Sequence, residues 1–339
     1  MAKSVVLITG SNGEIGHSLI ERLHADGRYA VVSLDLTPAP SALREWCTAS
    51  YTGNIMDRYL MDQIAAHHEI AAVFHLAALL STRGERDPEL AHQVNVEGTL
   101  NLLRVAQQQS ARLGRPVKFL FPSSIAVYGL PDTGTKRKVG RIKEEEWNVP
   151  VTMYGCNKLY CEHLGRYFTH FHRQLGALAN VARLDFRSLR FPGLISADTV
   201  PTGGTSDFGP EMLHSAAKGE SYACFVGEDA QIPFMAMPDA VDALVQLLDA
   251  DRDRLSTTVY NVGAFSVSAS QIAARVKAAF PGAEISYAPD PVRSKIVDSW
   301  PEDVDDSAAR RDWGWNPKYG VERAFDEYLV PSIRKRYAT

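Results

Sequence analysis

Ser4-Val5-Val6-Leu7-Ile8-Thr9-Gly10-Ser11-Asn12-Gly13-Glu14-Ile15-Gly16 decides the fold of this chain. The first six residues form a β-branched, apolar run of the kind buried on both faces of a parallel sheet. The run enters three glycines spaced GxxGxxG, and an amphipathic helical pattern follows to about Asp26. Strand, glycine turn and helix in that order make a phosphate cradle. Gly10 permits the tight turn. Gly13 removes a Cβ where backbone must approach a pyrophosphate at the helix N-terminus, and Gly16 allows close packing.

The same unit recurs along the chain. A second strand, Ala30 to Leu34, ends at Asp35, about 20 residues past Gly16. A carboxylate there can accept both ribose hydroxyls of an adenosine and repels a 2′-phosphate, which favours NAD over NADP; its other use is to cap the following turn. A short strand near 50–52 leads to Asn54 and Ile55, placed to meet an adenine, and to Asp57, a helix cap. Ala71 to Leu76 forms a fourth strand. It ends in His75-Leu76-Ala77-Ala78, whose small residues let a cofactor lie across the strand ends. His75, on an apolar strand, reads as a packed core histidine. A long helix over about 87–113 carries Asn95. Pro116 to Pro122 is the fifth strand, with Ser123 and Ser124 at its C-terminal end, where ligands of open parallel sheets bind. Strands alternating with helices predict a doubly wound parallel α/β sheet.

With 339 residues, 45% hydrophobic and 22% charged, the chain has ordinary globular usage and ample length for a sizeable core. A formal net charge of −4 gives no sign of nucleic-acid or anionic-membrane binding. The basic cluster Lys136-Arg137-Lys138 runs into Glu144-Glu145-Glu146 and reads as a solvated loop. The four cysteines show no metal-binding spacing, so no metal is expected and a reduced, cytoplasmic setting fits. No stretch approaches the ~20 apolar residues that span a bilayer, and residues 1–10 are too short for a signal sequence.

A helix over about 151–175 presents Tyr154 and Lys158, which share one face at i and i+4. An ammonium beside a phenol favours phenolate below its free pKa of about 10. The hydroxyl of Ser124 can hold the substrate oxygen whose proton that phenolate removes. A sixth strand, Asp185 to Arg190, opens into Phe191-Pro192-Gly193. Residues 192–234 then turn rich in Gly, Pro and Thr, as in a binding loop or lid. A helix over Ala240–Ala250 and a strand over Val259–Val262 return to the sheet, and the rest builds a smaller, interleaved unit. Trp300, Trp313 and Trp315 are its expected core anchors. The expected division is residues 1–190 plus about 235–263 for the dinucleotide, and about 191–234 plus 264–339 for the substrate.

The glycine turn, Asp35, Ser124 in Ser124-Ile125-Ala126-Val127-Tyr128-Gly129, and Tyr154 with Lys158 together resemble the extended short-chain dehydrogenase/reductase (epimerase/dehydratase) family, with its Rossmann fold. Within it, three stretches resemble the short-chain type of L-threonine 3-dehydrogenase. These are His75–Ser81 with Gly84-Glu85 and Val94–Gly98, Leu189–Ser196 with Gly203–Phe208, and Asp298–Pro301 with Asp305–Ser307 and Ala309–Trp315. The resemblance implies Ser124, Tyr154 and Lys158 as catalytic residues. It implies NAD held by Gly10, Asn12, Gly13, Glu14, Ile15, Gly16, Asp35, Asn54, Ile55, Leu76, Ala77, Ala78, Asn95, Tyr154, Lys158, Phe191 and Pro192.

A threonine needs a hydroxyl clamp and partners for its carboxylate and ammonium. Ser124 and Tyr154 supply the clamp. Ser81, Ser123 and Thr205 could bind the carboxylate, beside Gly193. Arg190 could pair with that carboxylate, gate the loop, or serve as a structural ion-pair partner. Asp207 could face the ammonium or cap the helix near Pro210. The loop 202–208, the run 232–237 and the charged stretch 135–146 depart from the dehydrogenase pattern, around the expected pocket. The implied reaction is NAD-dependent oxidation of L-threonine, or a close 3-hydroxy amino acid, to 2-amino-3-ketobutyrate. The alternative is a nucleotide-sugar 4-epimerase or dehydratase with tightly bound NAD. The family also implies a homodimer formed through helices 87–113 and 151–175.

Overall fold

The computed structural model of the chain describes residues 3–175, 183–201 and 203–338. Its centre is a seven-stranded parallel sheet. The strands are β1 (Ser4–Thr9), β2 (Tyr29–Asp35), β3 (Ala49–Thr52), β4 (Ile70–His75), β5 (Lys118–Ser124), β6 (Asp185–Phe191) and β7 (Val259–Asn261). They lie in the order β7-β6-β5-β4-β1-β2-β3. This is the doubly wound Rossmann arrangement, extended by one edge strand, and its strand order reverses between β1 and β4.

β1 shows why these residues make a central strand. Val6 and Ile8 enter one apolar cluster and Leu7 enters the cluster on the opposite face, all three fully buried. A run without polar alternation can satisfy both faces only inside a layered fold. Each such side chain contributes roughly 1.5–3 kcal/mol of burial free energy. On the Val6 face pack α1 (Glu14–Asp26) and α4 (Met237–Asp249); on the Leu7 face packs α2 (Met153–His170). Between α1 and α4 in sequence lies α3 (Phe208–Lys218), which packs in a third cluster with the C-terminal elements.

The structure alters several expectations. The helix foreseen over 87–113 consists of Pro88–His92, a five-residue π-helical turn Gln93–Glu97 and Gly98–Leu113. The widened turn contains Asn95, and such turns often mark functional sites. The charged stretch is ordered: Thr133–Val139 is helical, and Arg141–Ile142 pairs with Asp303–Val304. Lys136 is buried within it, donates to Val297 O at 3.2 Å, and is held down to about 8 by burial. Trp313 and Trp315 pack in the Val6-face cluster of the central sheet; of the three, only Trp300 belongs to the cluster built around α3 and the C-terminal elements. Tyr260, at the edge strand, stands edge-on to Trp313. Asp57 caps its helix by accepting from Leu60 N at 3.1 Å. His75 is a core histidine, bonded to Thr9 Oγ1 at 2.8 Å and Thr99 Oγ1 at 2.9 Å. No described helix is long and apolar enough to cross a membrane.

Candidate active site

Sheet register assembles the site. Thr9 pairs with His75, and Ser124 pairs with Phe191. The C-terminal ends of β1, β4, β5 and β6 therefore lie along one line, and the loops beyond them enclose a cleft of about 610 Å³. That is ample for a dinucleotide-sized ligand site.

At the β1 end, Gly10 has φ +70°, and a Cβ there would stand 2.6 Å from Ala77 N. A Cβ on Gly16 would stand 2.5 Å from Gly10 O, so the third glycine makes room for the turn itself. Asp35 accepts from Asn12 N at 2.9 Å, which ties the end of β2 to the glycine turn. The Asn12 amide is spent on Thr37, donating to its O and Oγ1 at 2.9 Å. Glu14, in the first turn of α1, accepts a hydrogen bond from Thr199, which anchors the segment after β6 to the helix start. Burial raises the Glu14 carboxyl above its ordinary range.

Further along, Ser124 Oγ accepts from Ala126 N at 3.2 Å and lies beside the Tyr154 phenol. Lys158 donates to Pro122 O at 2.6 Å, with its Nζ 4.4 Å from the centre of the Phe121 ring and 5.5 Å from that of Tyr154. The phenol is not held below its free value. Burial pushes it up to about 12, with only the Ser124 hydroxyl pulling the other way. Burial likewise holds the Lys158 ammonium down to about 8, opposed by Cys161 and Glu162. The pair spacing led to an expected low phenol pKa; the direction here is upward, because desolvation dominates and only the Ser124 hydroxyl opposes it.

The cleft brings together every foreseen site residue except two. Asn95 lies beneath it, buried, with its amide spent on the backbone of Leu79: Leu79 N donates to Oδ1 at 2.8 Å and Nδ2 donates to Leu79 O at 3.0 Å. It shapes the cofactor-facing loop rather than facing the cleft. Arg190 points away and is buried with Glu162, to which Nε and Nη2 donate at 2.9 and 2.6 Å. Its Nη1 donates to Glu144 O at 2.8 Å and its guanidinium stacks on Tyr128. It is therefore an internal ion-pair partner, not the substrate's carboxylate partner. Ser123 lines the cleft but donates to Glu162.

Ser81 and Thr205, 124 positions apart, share a hydroxyl–hydroxyl bond of 2.7 Å. Asp207 precedes α3 without capping it; its carboxylate accepts from Gly204 N at 2.6 Å and holds the loop. Thr202 lies outside the described residues, and of the three departing stretches only the loop through 204–207 lines the cleft. A Cβ on Gly193 would meet Phe234 at 2.8 Å. Two participants were missed. Glu162 extends the Tyr154–Lys158 spacing by another four residues, a signal visible on a helical wheel. Trp300 lines the cleft, its Nε1 buried without a partner among the described residues.

This geometry defines a nucleotide-binding α/β enzyme with a serine–tyrosine–lysine centre. Residues 6–263 match the NAD dependent epimerase/dehydratase family, and the chain belongs to it. The mitochondrial L-threonine 3-dehydrogenase of Bos taurus is 34% identical over 324 residues, covering 93% of this chain and 79% of that protein. The holo form of an L-threonine dehydrogenase from Cupriavidus necator superposes with a TM-score of 0.83 at 34% identity, covering 97% and 99% of the two chains. A UDP-glucose 4-epimerase from Thermotoga maritima has a TM-score of 0.80 at 23% identity over 99% and 100%, a likeness of fold alone. The chain is an NAD-dependent oxidoreductase. The cradle that a Cβ at Gly10 would fill, and the Asp35 carboxylate beyond it, fit the cofactor NAD.

Proposed function

We propose that the protein oxidises the 3-hydroxyl of L-threonine, or of a close 3-hydroxy amino acid, to 2-amino-3-ketobutyrate. Bound NAD⁺ supplies the hydride acceptor. Tyr154 takes the hydroxyl proton as base, Ser124 steadies the same oxygen, and Lys158 favours the phenolate and holds the nicotinamide ribose. Ser81 and Thr205 bind the carboxylate, and Asp207 faces the ammonium. Residues 1–190 with about 235–263 hold the cofactor; about 191–234 with 264–339 hold the substrate.

The observation that carries this reading is the substrate half of the cleft. It offers the Ser81–Thr205 hydroxyl pair, and Lys158 is the sole lysine or arginine among the described lining residues. A small amino acid suits that hydroxyl-bearing end; a second diphosphate, beyond the one the glycine turn can cradle, would find no lysine or arginine lining it besides Lys158. The test is NADH formation from NAD⁺ and L-threonine, beside conversion of UDP-galactose without added NAD⁺. Turnover of the sugar nucleotide alone sinks the reading. Tyr154→Phe should retain NAD binding and lose at least about 100-fold in kcat.

We also read the protein as a cytoplasmic homodimer. Its four cysteines are free thiols, as a reducing compartment allows. Tyr160 and Tyr167 on α2 are 52% and 41% exposed, as a pairing face requires. Light scattering at a monomer mass would remove the dimer.

A further inference from the structure

The loop that carries Thr205 and Asp207 is held from two sides. On one, Ser81 bonds Thr205, and Thr82 Oγ1 donates to Gly203 O at 2.9 Å. On the other stands Arg293, which opens the helix Arg293–Asp298. Its Nη2 donates to Gly204 O at 2.9 Å, and its guanidinium carbon lies 3.3 Å from the centre of the buried Phe225 ring. Its Nε is buried with no partner. Among the described residues Arg293 forms no ion pair. Its charge still reaches its surroundings: it favours the ionised forms of Glu211, Tyr222 and Cys224.

The cleft itself is acidic. Glu14, Asp35 and Asp207 line it against the single ammonium of Lys158. Lys158 stands with Tyr154, where the hydroxyl reacts, so it is not free to receive a carboxylate at the far end of a small substrate. A carboxylate arriving at Ser81 and Thr205 would meet two neutral hydroxyls and the Asp207 carboxylate. An anion transferred from water to such a place needs a compensating positive charge.

We infer that Arg293 is the positioning residue for the substrate carboxylate. Its unpaired guanidinium, behind the Gly204 carbonyl, supplies the positive potential, and its bond to that carbonyl holds the Thr205 hydroxyl at the cleft. This deepens, and rests on, the amino-acid reading above. Phe225 sets the plane of the guanidinium, a role that an ammonium fills less well.

The test compares L-threonine with L-threoninamide, as substrates or competitive inhibitors, in the wild type, R293Q and R293K. Glutamine retains a donor for Gly204 O and removes the charge; lysine retains the charge. In R293Q the kcat/KM for L-threonine should fall about ten- to thirtyfold, mostly through KM. The amide should change by less than about threefold, and the KM for NAD⁺ should hold. R293K should keep the preference for carboxylate over amide, even if both rates drop. Equal loss on the two compounds in R293Q, or no loss, overturns the inference. Should R293Q fail to fold, loss of the carboxylate preference in R293K overturns it equally. A wild type that oxidises neither compound fails at the earlier step and overturns both readings.

Discussion

Replacing Lys158 with methionine separates the electrostatic role of the lysine from a merely holding one. Its Nζ lies 5.5 Å from the centre of the Tyr154 ring. Two unit charges at that separation interact by roughly 3 kcal/mol at an effective dielectric constant near 20. That equals about two pH units on the phenol, or about 100-fold in phenolate. Burial holds the ammonium down to about 8 and pushes the phenol up to about 12, so the lysine loses its charge well before the phenol ionises. Below pH 8 the lysine is charged, and Lys158→Met should lose about 100-fold in kcat/KM for L-threonine at saturating NAD⁺. Above pH 8 the wild type should level off, because each gain in phenolate is matched by loss of the ammonium. The variant should keep rising tenfold per unit, so the gap closes. Lys158→Arg should keep its advantage to higher pH. The assay is initial NADH formation over pH 6–10. Parallel profiles across that range would refute the electrostatic role and leave Lys158 as a ribose ligand alone.

Other outcomes follow from neighbouring residues. Asp35→Ala removes the acceptor for the ribose hydroxyls; the KM for NAD⁺ should rise about ten- to 100-fold and the preference over NADP⁺ shrink, measured by steady-state kinetics with both cofactors. His75 is held down to about 3 by burial and by Lys158, against 6.5 when free. The unfolded chain therefore binds the extra proton between those values, so stability is full above about pH 6.5 and is lost as pH falls toward 3. Between pH 6.5 and 4.5 this one group costs about 2–3 kcal/mol, and His75→Gln should flatten the urea midpoint over that range. Arg190→Met strands the buried Glu162 carboxylate and should cost about 3–5 kcal/mol of stability, read as a lower denaturation midpoint. The KM for L-threonine should stay within about threefold, whereas a substrate ligand would lose far more.

The spacing of residues along the chain carried much of this site. β1, the glycine turn and α1 were legible because their signals are local: a two-sided apolar run, a helix period and one sterically forced glycine. Tyr154 and Lys158 were legible as a pair because four residues bring them one above the other on a helix, and Ser124 because ligands gather at strand ends. The loss of the low phenol pKa was not legible. Spacing gives the distance between two groups, while desolvation depends on what the rest of the chain packs around them.

Arg190 shows the same division. A cation at a strand end can face the ligand or the interior, and the choice was made by Glu162, 28 positions away on α2. Asn95 read as a cofactor ligand in a regular helix; it sits in a π-helical turn and its amide is bonded to the Leu79 backbone. Trp300 reaches the cleft, and Arg293 the loop behind it, from the far end of the chain. Their approach depends on the register of the C-terminal elements against the loop 203–207, which no local pattern encodes. The sequence by itself determined the parallel sheet, the glycine cradle and the candidate trio Ser124, Tyr154 and Lys158, because each rests on short-range periodicity and steric necessity. Only the tertiary structure decided which charges face the cleft, which are paired in the core, and how far burial shifts them, because those depend on contacts between residues distant in the chain.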